Sequence, residues 1–239
     1  MHRFFVEQVH KEKMTLTGEV AHHIQDVLRM QVGEALELVC DDGVIGAYAV
    51  ESMLPGQVQV LCQQVLCEPH EADVQVTLAQ GLAKGDKMDL VVQKAVELGA
   101  SVIVPLALSH SVVQLDGVKA EKKRERWQKI ALAAAQQSKR DVVPTVTGVQ
   151  SLAEVLQGEY DLILLAYEGE TRTMLKDVLR GQKYSKILVI IGPEGGLAES
   201  EVQTAVTAGA RSISLGRRIL RSETAGLVVL SCIFYEYAT

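Results

Sequence analysis

The sequence predicts an α/β fold with a mostly parallel sheet, preceded by a small β-rich domain, and three observations carry that expectation. Short apolar runs bounded by turn residues crowd the N-terminal stretch, and a polar, proline-containing segment, Glu68-Pro69-His70-Glu71-Ala72-Asp73, follows them. Beyond it, strand-like runs alternate with segments of helical spacing, the pattern of a parallel sheet covered by helices. The boundary therefore falls so that residues 1–72 form the first domain and residues 73–239 the second.

After Thr17 and Gly18, the apolar residues Val20, Ile24, Val27 and Leu28 fall at helical spacing and predict a short amphipathic helix bearing His22, His23 and Arg29. Residues 35–40, 46–50 and 58–66 are β-rich runs separated by Asp41-Asp42-Gly43 and Pro55-Gly56, both strong turn signals, and so predict an antiparallel meander or small barrel. In the second domain, residues 74–80 read as a strand, 87–98 as a helix closed by Gly99, and 102–106 as the next strand, one βαβ unit. A long helix covers about 119–138, with Trp127, Ile130, Ala134 and Gln137 on related faces. Residues 161–166 and 187–191 are apolar enough to be central strands. A further strand spans 212–215, and an apolar helix over 225–237 closes the chain.

The chain has 239 residues, 48% of them hydrophobic, enough to bury a sizeable core. No run of eighteen apolar residues exists and the first residues lack a long apolar stretch, so the expectation is a soluble, cytoplasmic protein without a membrane partner. Cys40, Cys62, Cys67 and Cys232 form no CxxC pair and show no ligand spacing with histidine, which points away from structural zinc and from a disulfide framework. Nor do His22 and His23 suggest a metal, because adjacent histidines on a helix face different ways. The formal net charge of −6 argues against a nucleic-acid partner, but its distribution matters more. Residues 1–72 hold four Lys/Arg against eleven Asp/Glu, whereas the remainder holds twenty against nineteen. Basic charge is thus local, in Lys119, Lys122, Lys123, Arg124, Arg126 and Lys129 and again in Arg211, Arg217, Arg218 and Arg221. For the first cluster, a solvated helix face and an RNA contact both stand.

Two loops at strand ends are candidates for chemistry. Gly192-Pro193-Glu194-Gly195-Gly196 follows the strand at 187–191, where ligand sites of open α/β sheets concentrate, and its glycines permit close approach to the backbone. On geometry alone a plain strand-to-helix turn is the favoured reading, since the loop matches neither dinucleotide nor triphosphate fingerprints. The second loop, 215–225, concentrates Arg217, Arg218, Arg221 and Glu223. An arginine fork binds phosphate or carboxylate and can stabilise an anion forming on a base; alternatively, Arg221 and Glu223 form an ion pair at a helix start.

Ile191-Gly192-Pro193-Glu194-Gly195-Gly196-Leu197, Leu215-Gly216 and Ile219-Leu220-Arg221-Ser222-Glu223-Thr224-Ala225 closely resemble the ribosomal RNA small subunit methyltransferase E family. The likeness extends to Arg3-Phe4-Phe5-Val6, to His22-His23 and Val27-Leu28-Arg29, to Gln93-Lys94-Ala95 with Glu97-Leu98-Gly99, and to Gln137-Ser138 with Arg140. It implies a SPOUT-class α/β domain with a deep trefoil knot, a PUA-like N-terminal barrel, and methyl transfer from S-adenosylmethionine to N3 of a uridine near the 3′ end of 16S ribosomal RNA. Position by position, it implies a donor pocket from Leu165, Tyr167 and Glu168, from Ile191, Gly192, Pro193, Glu194, Gly195 and Gly196, and from Leu215, Gly216, Ile219 and Leu220. Arg221 is the implied stabiliser of the uracil anion, with Glu223 as base or as orienter of Arg221. Arg3, His23, Arg29 and Arg140 are the implied RNA contacts, and a homodimer using the final helix is expected. His110 stands where relatives often carry arginine, and Arg217 where proline is common. A 2′-O-ribose methyltransferase of the same fold, a non-catalytic RNA-binding assembly factor and a Rossmann-type nucleotide binder are competing readings; the first lacks its early Asn/Arg motif around Leu82 to Gly99, and the last its glycine fingerprint.

Overall fold

The protein is described from a computed structural model covering residues 1–67, 70–113 and 115–237. Glu68 and Pro69, within the segment expected to separate the domains, lie outside the described residues. Two compact units emerge: Met1–Glu71 together with Gln136–Val142, and Ala72–Ala135 together with Val143–Thr239. The return of residues 136–142 to the first unit is invisible to a boundary drawn along the chain.

In the first unit, β1 (His2–Phe5), β2 (Lys13–Thr17), β3 (Ala35–Val39), β4 (Ile45–Leu54) and β5 (Gln57–Leu66) make one sheet in the order β1-β3-β4-β5-β2. Pro55, with its fixed φ, and Gly56 at φ 71° close the β4–β5 hairpin. The register slips between Ala47 and Tyr48 and again between Val50 and Ser52, bulges that bend a sheet. Two features depart from the expected meander. β1 pairs parallel with β3, because β2 and a helix intervene between them, and β2 itself was not expected, although its alternating exposed-buried pattern is a strand's period of two. The expected helix is real but short: α1 (Gly18–His22) continues as a π-helical turn, His23–Val27, and buries Ala21 and Ile24.

Arg3 and Arg140 take up a different task from the RNA contact expected of them. Arg3 is 3% exposed. Its guanidinium donates to Glu37 Oε2 at 2.9 Å, to Asp141 Oδ1 at 2.8 Å and to the carbonyls of Lys139 and Arg140 at 2.7 and 2.9 Å. Arg140, 5% exposed, donates to both oxygens of Glu71 at 2.8 and 2.6 Å. Buried charges need partners, and both guanidinium groups spend their donors tying residues 139–141 to the sheet and to Glu71. Burial pushes the Glu37 carboxyl up, but the Lys139 ammonium and Arg3 outweigh it and hold the group below its usual range. A carboxyl depressed in this way stabilises the fold above the unfolded-state pKa and loses that contribution as pH falls through the folded one. Glu37→Gln is therefore expected to destabilise the protein by about 3 kcal/mol at pH 7, and the gap should close as pH falls through the depressed folded-state value of Glu37. Urea unfolding across pH checks this, and a gap that persists in acid would discount the ion cluster.

The second unit is the α/β domain that the alternation predicts. β6 (Gln75–Gly81), β7 (Val102–Ala107), β8 (Thr145–Val146), β9 (Gln150–Ser151), β10 (Leu162–Ala166), β11 (Lys186–Ile191) and β12 (Arg211–Ile213) form one sheet. Its order is β12-β10-β11-β6-β7-β8, with β9 also on β7, and every ladder is parallel. β11 is buried from Ile187 to Ile191 without alternation, as a central strand covered on both faces must be. The helices are α2 (Lys87–Glu97), α3 (Gly117–Gln137), α4 (Leu152–Val155), α5 (Leu175–Leu179), α6 (Glu199–Thr207) and α7 (Ser222–Tyr237). α7 begins at Ser222 rather than at the expected Ala225, and it packs against α2, α5, β11 and β6. Among the described residues, no helix is long and apolar enough to cross a membrane.

Candidate functional site

β12, β10 and β11 are neighbours in the parallel sheet, so the loops leaving their carboxyl ends emerge side by side. They enclose a cavity of about 820 Å³, within the range of small-molecule sites. From β10 come Tyr167 and Glu168; from β11 come Ile191, Gly192, Pro193, Glu194 and Gly196; from the loop after β12 come Leu215, Gly216, Ile219, Leu220 and Arg221, with Glu223 on the first turn of α7. These distant stretches of sequence are thus brought together around one space. Leu165 and Gly195 are exceptions. Leu165 is fully buried in the apolar core beneath the site, because alternation along β10 points it away from the cavity. Gly195 faces His110 instead: its carbonyl accepts from His110 Nδ1 at 3.0 Å, and a Cβ on it would come within 2.9 Å of the His110 Cβ. Because a carbonyl only accepts, that imidazole nitrogen carries its hydrogen.

The turn after β11 is closed by the Gly196 N–H donating to the Pro193 carbonyl at 3.0 Å, with Gly196 at φ 73°, a conformation that disfavours side chains. The cavity lining is apolar at Ile191, Leu197, Leu215 and Leu220, and Ile219 is 85% exposed. The Arg221 side chain is exposed and makes no hydrogen bond or ion pair with any described residue, while its carbonyl caps α7 by accepting from Thr224 and Ala225.

Several residues that shape the cavity were not singled out from the sequence. Gly81, at the end of β6, abuts the turn: a Cβ there would lie 2.5 Å from the Pro193 nitrogen and 2.8 Å from the Gly192 carbonyl carbon. Gln80, fully buried, donates to Ser222 Oγ at 2.8 Å, and Ser222 donates in turn to the Gly192 carbonyl at 2.7 Å, a neutral relay joining β6, α7 and the turn. A glutamine inside an otherwise apolar strand was the available signal. Lys87 places Nζ 3.1 Å from Glu194 Oε1 and 3.3 Å from Glu223 Oε2. Burial raises the Glu194 carboxyl, but hydrogen bonds from the Lys84 N–H, from its own N–H and from Lys87 bring it below the ordinary carboxylate value. Glu223 Oε2 lies within ion-pair distance of Lys87 but accepts no hydrogen bond from any described residue, and Glu223 makes no ion pair with Arg221, contrary to the orienting contact expected. Among the described residues, no three His, Cys, Asp or Glu side chains gather in a metal-holding cluster.

Of the RNA contacts expected in the first unit, His23 and Arg29 are exposed. His23 stacks edge-on against Phe4 at 5.7 Å, and Arg29 ends the helical segment at φ 53°.

Comparison with known proteins places this site in a class. A family model of RNA methyltransferase domains matches residues 70–234, and one of RNA methyltransferase PUA domains matches residues 16–61. Fold and cavity together therefore define an RNA methyltransferase domain preceded by a PUA domain. The ribosomal RNA small subunit methyltransferase E of Bacillus subtilis (strain 168) is 39% identical across 99% of this chain and 97% of its own length. That of Synechocystis sp. is 31% identical across 95% and 74%. The crystal structure of a ribosomal RNA small subunit methyltransferase E from Neisseria gonorrhoeae, bound to S-adenosyl methionine, superposes with a TM-score of 0.87 at 29% identity, covering 98% of this chain and 97% of that one. The chain belongs to the ribosomal RNA small subunit methyltransferase E family.

Proposed function

We propose that this chain transfers a methyl group from S-adenosylmethionine to N3 of a uridine in 16S ribosomal RNA of the small ribosomal subunit. The observation that carries the reading is that the Gly192–Leu197 turn and the 215–221 loop line one cavity, with the Arg221 guanidinium, which no described residue pairs, at its edge. The residues present suit the donor. Adenine needs apolar walls and backbone partners, which Leu215, Leu220, Ile191 and the side-chain-free backbone at Gly192, Gly196 and Gly216 provide. When bound, the donor supplies a methyl already activated on a sulfonium, so alignment and charge stabilisation are the tasks left to the protein.

Uridine N3 carries a hydrogen on the pairing edge, and the base must be unpaired or flipped to present it. Loss of that proton to solvent leaves negative charge on the ring oxygens, which Arg221 is placed to stabilise, and attack of N3 on the methyl would release the donor as its neutral thioether. Glu223, engaged by Lys87, is assigned no proton. His23 and Arg29 are the RNA contacts retained from the first unit; Arg3 and Arg140 leave that set because they are buried in ion pairs. The knot of the SPOUT class belongs to the same reading; α7 packs against β11 and β6 after β12 has paired with β10 at the sheet edge. A homodimer is supported by the exposed face of α7, on which Tyr235 is 89% exposed, and a cytoplasmic site of action follows from a ribosomal substrate. Incubating the protein and labelled S-adenosylmethionine with small subunits lacking the modification, then identifying the labelled nucleoside by mass spectrometry, tests the reading. It expects 3-methyluridine; a 2′-O-methylated nucleoside or no label would overturn it.

A further inference from the structure

Of the carboxylates lining the cavity, two lie close to the Lys87 ammonium: Glu194 on the turn after β11 and Glu223 on the first turn of α7. We infer that Lys87 is a positioning residue: by holding Glu194 and Glu223 together it fixes the two loops relative to each other and keeps Glu223 from capturing Arg221. The inference rests on the methyl-transfer reading for its catalytic consequence, but its structural half does not.

Lys87 is the first residue of α2, and it reaches Glu194 Oε1 at 3.1 Å and Glu223 Oε2 at 3.3 Å. Glu194 Oε1 also accepts the Lys84 N–H at 3.0 Å, so the segment leading into α2 grips the turn with two donors. The three side chains are partly shielded, at 31% exposure for Lys87, 25% for Glu194 and 14% for Glu223, and are less screened by solvent than a surface pair. Glu223 lies two residues beyond Arg221, whose carbonyl caps the same helical turn. A mostly buried carboxylate deprived of its cation seeks another, and the nearest in sequence is the exposed guanidinium of Arg221, which no described residue pairs. Glu168, Glu170, Arg217 and Arg218 line the same cavity, but none of them shares the first turn of α7. Without Lys87, then, the natural rearrangement is an Arg221–Glu223 ion pair that withdraws the guanidinium from the substrate. The neutral Gln80–Ser222–Gly192 relay does not involve Lys87 and keeps turn and helix joined, so the change leaves the domain folded.

Wild type, Lys87→Met, Lys87→Arg, Glu223→Gln and the Lys87→Met/Glu223→Gln double variant should be compared in three measurements: kcat and KM on small subunits, Kd for S-adenosylmethionine by calorimetry, and a crystal structure of Lys87→Met. Lys87→Met is expected to lower kcat by about tenfold or more with Kd changed less than about threefold, since a misplaced group costs transfer more than it costs donor binding. Lys87→Arg should recover most of the loss. The double variant should turn over within about threefold of Glu223→Gln alone, because removing the stranded carboxylate releases Arg221; a lysine that merely supported the fold would show no such suppression. In the Lys87→Met crystal, Arg221 should sit within hydrogen-bonding distance of Glu223. An unmoved Arg221, or a double variant as impaired as Lys87→Met, would overturn the inference. A wild-type protein that binds donor but methylates no subunit would instead sink the methyl-transfer reading, and the crystal would still decide the ion-pair exchange.

Discussion

Arg221→Ala lowers single-turnover methyl transfer by about 100-fold or more while leaving donor affinity within a few fold, because removal of one preorganised donor to a developing oxyanion costs about 10²–10³ in rate. Arg221 lines the cavity, exposed and without a hydrogen bond or ion pair to any described residue, as Arg217 and Arg218 also do, whereas Arg3 and Arg140 are buried and bonded to carboxylates and carbonyls. Of the three cavity arginines, Arg221 is the one to which the family resemblance gives the anion-stabilising role. Arg221→Lys retains the charge without the planar fork and should recover only part of the rate. Rapid-quench transfer to small subunits, together with calorimetric titration of donor, separates the two effects. If the Ala variant keeps its rate, Arg221 has no part in the chemistry.

Gly81→Ala is expected to weaken donor binding by about tenfold or more and to destabilise the protein by about 1–3 kcal/mol, the usual cost of overpacking. The added Cβ would fall 2.5 Å from the Pro193 nitrogen and 2.8 Å from the Gly192 carbonyl carbon, and both are backbone atoms that no rotamer change can clear. β6 and β11 are hydrogen-bonded neighbours, with Gln80 opposite Ile191, so the strain has to be relieved in the turn itself, where it opens the cavity. The calorimetric Kd and the urea midpoint are the readouts. An unchanged Kd would show that the turn does not need its present position to hold the donor.

The two expectations draw on different kinds of information. Arg221 could be singled out from the sequence because three arginines and a glutamate in one short loop are unusual, and the resemblance gave it a role. Gly81 could not. It looks like any glycine at a strand end, and its importance lies in a contact with residues more than a hundred positions away. Lys87 was hidden in the same way: in the sequence it begins an ordinary amphipathic helix, and only the fold carries Glu194 and Glu223 to it. Arg3 and Arg140 misled for the converse reason. Basic residues in a protein that resembles an RNA-modifying family suggest phosphate contact, yet Glu37, Asp141 and Glu71 had claimed them.

Local pattern alone determined the alternation of strands and helices from β6 onward, the β-rich first unit and its Pro55-Gly56 hairpin, and the two loops at strand ends, because strand and helix periods and turn chemistry are properties of neighbouring residues. Strand order, the parallel pairing of β1 with β3, the return of residues 136–142 to the first unit, and the partners chosen by each charged side chain were decided by tertiary structure only. Those outcomes depend on which of many chemically equivalent carboxylates, cations and backbone groups the folded chain brings within about 3 Å, the reach of a hydrogen bond. Sequence spacing carries no record of that distance.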